Sequence, residues 1–187
     1  MSRLYLAAIG MLFAQTLAAQ GTVVRPEPQL DAGRVALRDA LLQFRDTLSS
    51  IDAAASRLQR DYRQASAASL LSRARVMHEA CARSVRNIPP ARQAVLAADA
   101  TNEQRVRRRG EMVAALDQLH KSLTLCESEF AAMSRPGEAE RVRGYGNDQA
   151  IRTLAALRRY ERVLGTFFSA LQIKVSPLGV EPRPAAG

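Results

Sequence analysis

Apolar residues return every three or four positions through most of this 187-residue chain, a spacing that stacks them along one side of a helix. Leu37, Leu41, Phe44, Leu48, Ile51, Ala55, Leu58 and Tyr62 hold the rhythm longest. Leu70, Ala74, Met77, Cys81, Ser84 and Ile88 form a second stripe, and Met112, Leu116, Leu119, Leu123, Cys126, Phe130 and Met133 a third. The fourth runs through Ile151, Leu154, Leu157, Leu164, Phe168 and Leu171. Glu161 falls on that same line, so its carboxylate must reach the rim or meet an arginine. The pattern predicts helices over 31–62, 67–98, 102–134 and 147–174, an all-α antiparallel four-helix bundle spanning 31–174.

Local signals place the boundaries. Asp31 suits the first N-cap, and Thr101 with Gln104 fits a capping box opening the third helix. Between Tyr62 and Leu70 the stripe slips by one residue, although no Gly or Pro stands there. A turn at 62–68 gives four segments of similar length. The alternative is a three-helix arrangement with one long helix over 31–98. Pro89 and Pro90 each remove a backbone donor, so the second helix is expected to kink or stop near Asn87 or Ile88. Ser134-Arg135-Pro136-Gly137 carries turn chemistry, and Gly144-Tyr145-Gly146-Asn147 is expected to break the chain again before the last helix. Residues 20–30 form an extended lead-in with Pro26 and Pro28, and 175–187 a disordered Pro-rich tail.

Residues 1–19 have the layout of a signal peptide: Arg3, an uncharged apolar run from Leu4 to Leu17, then small residues at Ala18 and Ala19. The run falls short of the roughly 20 apolar residues a membrane span needs, so export to the periplasm or medium is favoured over an uncleaved anchor. Export changes what two cysteines mean. In an oxidising compartment a pair of thiols most often bonds, and the sequence predicts a Cys81–Cys126 disulfide across the second and third helices.

Net charge is +9, carried almost wholly by arginine, since Lys121 and Lys174 are the only lysines. The densest clusters are Arg105, Arg107, Arg108 and Arg109 on the third helix and Arg158, Arg159 and Arg162 on the fourth. They are candidate contacts for an anionic partner, either an acidic protein or an anionic membrane surface. Nucleic acid is disfavoured, because no aromatic residues interleave with the basic run.

Catalytic signatures are missing: no serine sits in a nucleophile elbow and no Gly-rich phosphate loop occurs. His78 and His120 are weak candidate metal ligands, His78 standing three residues from Cys81. Haem attachment would need a C-x-x-C-H run, which the chain lacks, and methionines in helical stripes usually fill core. No cofactor is therefore expected. The reading that results is an exported, non-enzymatic bundle acting by protein binding, as an envelope-complex subunit, adaptor or small chaperone. The alternative is a periplasmic ligand-, haem- or metal-binding four-helix bundle. N-terminal sequencing of the protein from its source cells is expected to begin at Gln20; a chain still starting at its first residues would exclude cleavage.

Overall fold

The computed structural model describes residues 30–60 and 62–174; the expected signal peptide, most of the expected lead-in and the expected tail lie outside them. Four long helices, α1 (Ala32–Gln59), α2 (Ala67–Ala97), α3 (Glu103–Met133) and α4 (Asn147–Ala170), account for most of this span. No strand occurs among the described residues.

Three of the helices open on a side chain that accepts an otherwise orphan backbone N–H. Asp31 accepts from Arg34 at 2.8 Å, Ser66 from Ser69 at 3.3 Å and Asn102 from Arg105 at 2.9 Å. The cap of α3 is thus Asn102, one residue beyond the capping box expected at Thr101. Thr101 turns its hydroxyl to the Arg105 guanidinium at 3.3 Å instead.

α1 and α2 are separate helices, which excludes the single long helix. The chain leaves α1 at Arg60 with extended backbone, placing Tyr62 in the turn and ending the helix short of it. Arginines do what Gly or Pro would do elsewhere. Arg73 donates to the Arg60 carbonyl, and Arg143 donates to the Ala65 carbonyl at 2.9 Å.

Pro89 and Pro90 do not stop α2, which continues through both to Ala97. Both prolines face solvent, and the carbonyls they deprive of partners, on Val85 and Arg86, lie on the half-buried to exposed side of the helix. Water can satisfy them there, so the helix loses two hydrogen bonds without burying a polar group.

After α3 the chain turns at Gly137, whose φ of +91° lies in the left-handed region that glycine adopts without strain. The Gly144 to Asn147 stretch does not break the chain. A short turn (Ala139–Arg141) leads into a π-helical segment (Val142–Gly146) that runs directly into α4. A β-carbon at Gly146 would lie 3.7 Å from the Phe130 ring and 3.8 Å from Leu58, ordinary contact distances, and 3.3 Å from Val142 of the same segment, so the backbone here packs close against α1 and α3.

That close approach sets the face of α4. Gln149, Ala150 and Thr153 point inward, and Ile151 is 49% exposed, contrary to its expected core position. Small and short side chains fit where backbones are close; Ile151 is displaced to the outer side, while Leu154 is half-buried and packs against the core as expected. From Leu157 onward the expected stripe returns, with Tyr160 added to it. α4 also ends earlier than position 174. Gln172 takes φ +59°, the Ile173 N–H donates to the Phe168 carbonyl at 2.9 Å and the Gln172 N–H to Ser169 at 3.1 Å, a Schellman closure that tucks Ile173 into the core.

The helices pack in cyclic order, each against the next, with α4 closing on α1. Neighbours run antiparallel: Cys81 meets Cys126 while the later Arg92 meets the earlier Asp117, and Phe44 meets Tyr160 while the later Leu58 approaches Gly146. The stripes of α2 and α3 are buried throughout, as is that of α1 up to Leu58. Each buried Leu or Phe contributes about 1.5–3 kcal/mol relative to exposure, so the core stands without covalent help.

The structure pairs Cys81 with Cys126 across the middle of α2 and α3, with Cα atoms 6.1 Å apart. For a sequence separation of 45 residues, loop entropy makes such a bridge worth at most about 4 kcal/mol. Reduction, or Cys81→Ala with Cys126→Ala, is expected to leave the circular dichroism helical and lower Tm by several degrees. An unchanged Tm would show that the bridge carries no stability.

Candidate functional site

Two sets of candidate residues are brought together by the fold, and a third is dispersed. His78 is half-buried on α2, and His120 is exposed in a shallow depression of α3 beside Lys121. Both thiols are consumed in the bridge, and among the described residues no cluster of three or more His, Cys, Asp or Glu forms. The histidines therefore have no shared site. Met77, Met112 and Met133 are fully buried in their stripes, where they fill core and face no ligand space.

The arginine clusters differ in how they are neutralised. Arg105 lies 3.8 Å from Asp99, Arg107 3.8 Å and Arg108 2.7 Å from Glu111, and Arg109 donates to the Ala98 carbonyl at 3.2 Å. Arg105 and Arg109 thus reach back to the α2–α3 turn and Arg107 and Arg108 share Glu111 on their own helix, so each of the four has a partner within the fold. Arg158, Arg159 and Arg162 are exposed, and none is within ion-pair distance of a carboxylate among the described residues. Their charge is directed outward.

These three arginines border a groove of about 880 Å³ between α1 and α4. Leu48, Leu154 and Leu157 make its apolar floor, and Ser49 and Asp52 its α1 edge. α1 and α4 touch less extensively than any other neighbouring pair, which leaves this seam open along its outer side. The groove follows from local sequence: Leu154 is half-buried between the core and the groove, and the small Ala155 leaves room beside it.

Of the groove's lining residues, Glu161 leads inward to a buried polar cluster. Arg45, 8% exposed, approaches the Glu161 carboxylate at 3.9 Å, an ionic contact longer than a hydrogen bond. Glu161 thus meets the arginine that its place in the stripe required. Burial pushes its carboxyl above the ordinary carboxylate value, and Arg45 opposes that push. Next to it Tyr160 is buried, stacked edge-on against Phe44 with ring centroids 5.7 Å apart, and burial holds its phenol neutral far above the usual range. The Tyr160 hydroxyl and one Glu161 oxygen have no hydrogen-bond partner among the described residues. Such buried, unsatisfied oxygens cost stability, and they concentrate here in a molecule otherwise built on apolar seams.

Sequence reasoning located Glu161 and the α4 arginines but not Arg45 or Tyr160. Arg45 flanks the α1 stripe at the spacing that packs beside Leu41 and Leu48, which was the available signal. Tyr160 follows Arg159 in a charged run and lies beside, not on, the line drawn through Leu157 and Glu161.

No protein-family model, no curated protein and no solved structure matches this chain. What defines its class is the architecture: an all-α four-helix bundle bridged between its second and third helices and grooved between its first and fourth.

The raised Glu161 carboxyl has a testable sign. The folded state holds this proton more tightly than the unfolded chain, so the group's contribution is present at low pH and is lost as pH climbs from the ordinary carboxylate value through the raised one. Urea midpoints across that window are expected to fall less steeply with pH in Glu161→Gln than in the parent, whatever the absolute midpoint. Parallel curves would remove Glu161 as the source.

Proposed function

We propose that this chain is an exported, non-enzymatic helical bundle that acts by binding a protein partner of the cell envelope, as a complex subunit, adaptor or small chaperone. The observation that carries the reading is the contrast between the two basic clusters: Arg105 to Arg109 are engaged within the fold, whereas Arg158, Arg159 and Arg162 stand unneutralised beside an open apolar groove. A surface that keeps both charge and apolar area exposed is suited to association. Export is supported by the apolar leader and by a disulfide, which fits an oxidising compartment. No helix among the described residues is long and apolar enough to cross a membrane.

The second reading, a small-ligand bundle, draws support from the groove's volume of about 880 Å³, within the usual range for ligand sites. Openness along one side favours a larger occupant. A photo-crosslinking residue placed at Ala155 is expected to trap one discrete protein in the source cells, and the same group at Arg75 on the outward face of α2 to trap none. Adducts from Arg75 but not Ala155 would move the interface elsewhere; none from either would remove the protein-binding reading.

A further inference from the structure

The charges around the α1–α4 groove are asymmetric, and the asymmetry narrows what can lie there. Along the α4 edge, Arg158 and Arg162 are one turn apart, about 6 Å, with Arg159 beside them; Glu161, half-buried between them, is met by Arg45 at 3.9 Å, so the exposed charge of this edge is the arginines'. Along the α1 edge stand Ser49 and Asp52, both exposed. Leu154 and Leu157 lie between, and Leu48 closes the floor. From Leu154 to Arg162 the groove follows α4 for about 12 Å, the length of roughly two helical turns.

Resting on the protein-binding reading above, we infer that the groove takes an amphipathic helix of the partner protein, with apolar residues at three- and four-residue spacing set on the leucine floor and acidic residues four apart along one edge, facing Arg158 and Arg162. Carboxylates at that spacing repeat the 6 Å interval of the arginines, approximately, because both helices share the same rise. The partner's other edge meets Asp52 and is neutral or basic, which fixes the direction in which it lies. Two antiparallel helices with an open seam between them present the ridges and grooves that a further helix packs against.

Other occupants fit less well. A second copy of this chain offers no unpacked amphipathic helix among its described residues, since the apolar face of each of its four long helices is committed to its own core. A single-headed anionic amphiphile meets the arginines with one charge and leaves the roughly 6 Å interval between Arg158 and Arg162 unmatched. An anionic bilayer presents one sign of charge to both edges.

The test uses the mature full-length protein and a synthetic amphipathic peptide about four turns long, with leucines at the floor spacing and glutamates four apart along one edge. Titration is expected to show saturable one-to-one binding that weakens as salt rises, while a peptide with lysines in place of the glutamates binds at least about tenfold more weakly. Arg158→Ala with Arg162→Ala is expected to cost about tenfold or more, and Arg107→Ala with Arg108→Ala no more than about twofold. Ala155→Trp fills the groove with every charge intact and is expected to abolish binding; unchanged thermal melts for these exposed positions confirm that each variant folds. Binding that survives Ala155→Trp, or that is indifferent to the α4 arginines, overturns the inference. So does capture by phosphatidylglycerol vesicles with the same arginine dependence and no binding of the peptide. An Ala155 crosslink in cells combined with failure of the acidic peptide would leave the protein-binding reading standing and the helix chemistry rejected; loss of both removes both.

Discussion

Four apolar stripes facing one another across a common axis are the constraint on which everything else in this molecule depends. Burial of those stripes, not any local propensity, decides where each helix faces, because helical rise and turn fix the rest once one face is committed. The exceptions to the stripes are where the molecule becomes informative. Arg45, Tyr160 and Glu161 put charge and unsatisfied oxygen against the α1–α4 seam, and the same seam is the thinnest of the four. A bundle closed only for stability would have leucine there.

The seams of α1, α2 and α3 were legible almost residue by residue. Met112 through Met133 holds an unbroken three-four alternation with nothing to compete with it, and the two cysteines fall at matching heights on adjacent stripes. The N-terminal half of α4 was not legible. Ile151 is a strongly apolar residue at a stripe position in that stretch, and hydrophobicity alone puts it inside. The fold instead uses Gly146, Ala150 and Thr153, because the backbone there comes within side-chain distance of Phe130 and Leu58. Size won over hydrophobicity, and a one-dimensional pattern carries no measure of how near two helices come.

The remaining differences share a cause. Proline, glycine and the absence of either were read as punctuation, yet Pro89 and Pro90 sit within a helix, Gly144 and Gly146 within a π-helical segment, and the α1–α2 turn contains neither residue. In each case long-range partners override the local rule: solvent meets the carbonyls freed in α2, and Arg73 and Arg143 hold the turn from other elements. The candidate site was half visible for a similar reason. Glu161 announced itself as a charge in an apolar line, whereas the separation of spent from available arginines needs the positions of Asp99 and Glu111 in space.

The Cys81–Cys126 tie has a mechanical consequence. It fastens α2 to α3, and in the cyclic order of the bundle that wall is the one opposite the groove. One side of the molecule is thereby joined covalently, while α1 and α4 are held to each other by side-chain packing and the Arg45–Glu161 contact. The covalent clasp and the thinnest seam therefore stand on opposite walls of the bundle, so one flank is locked by a bond and the other by weaker contacts alone.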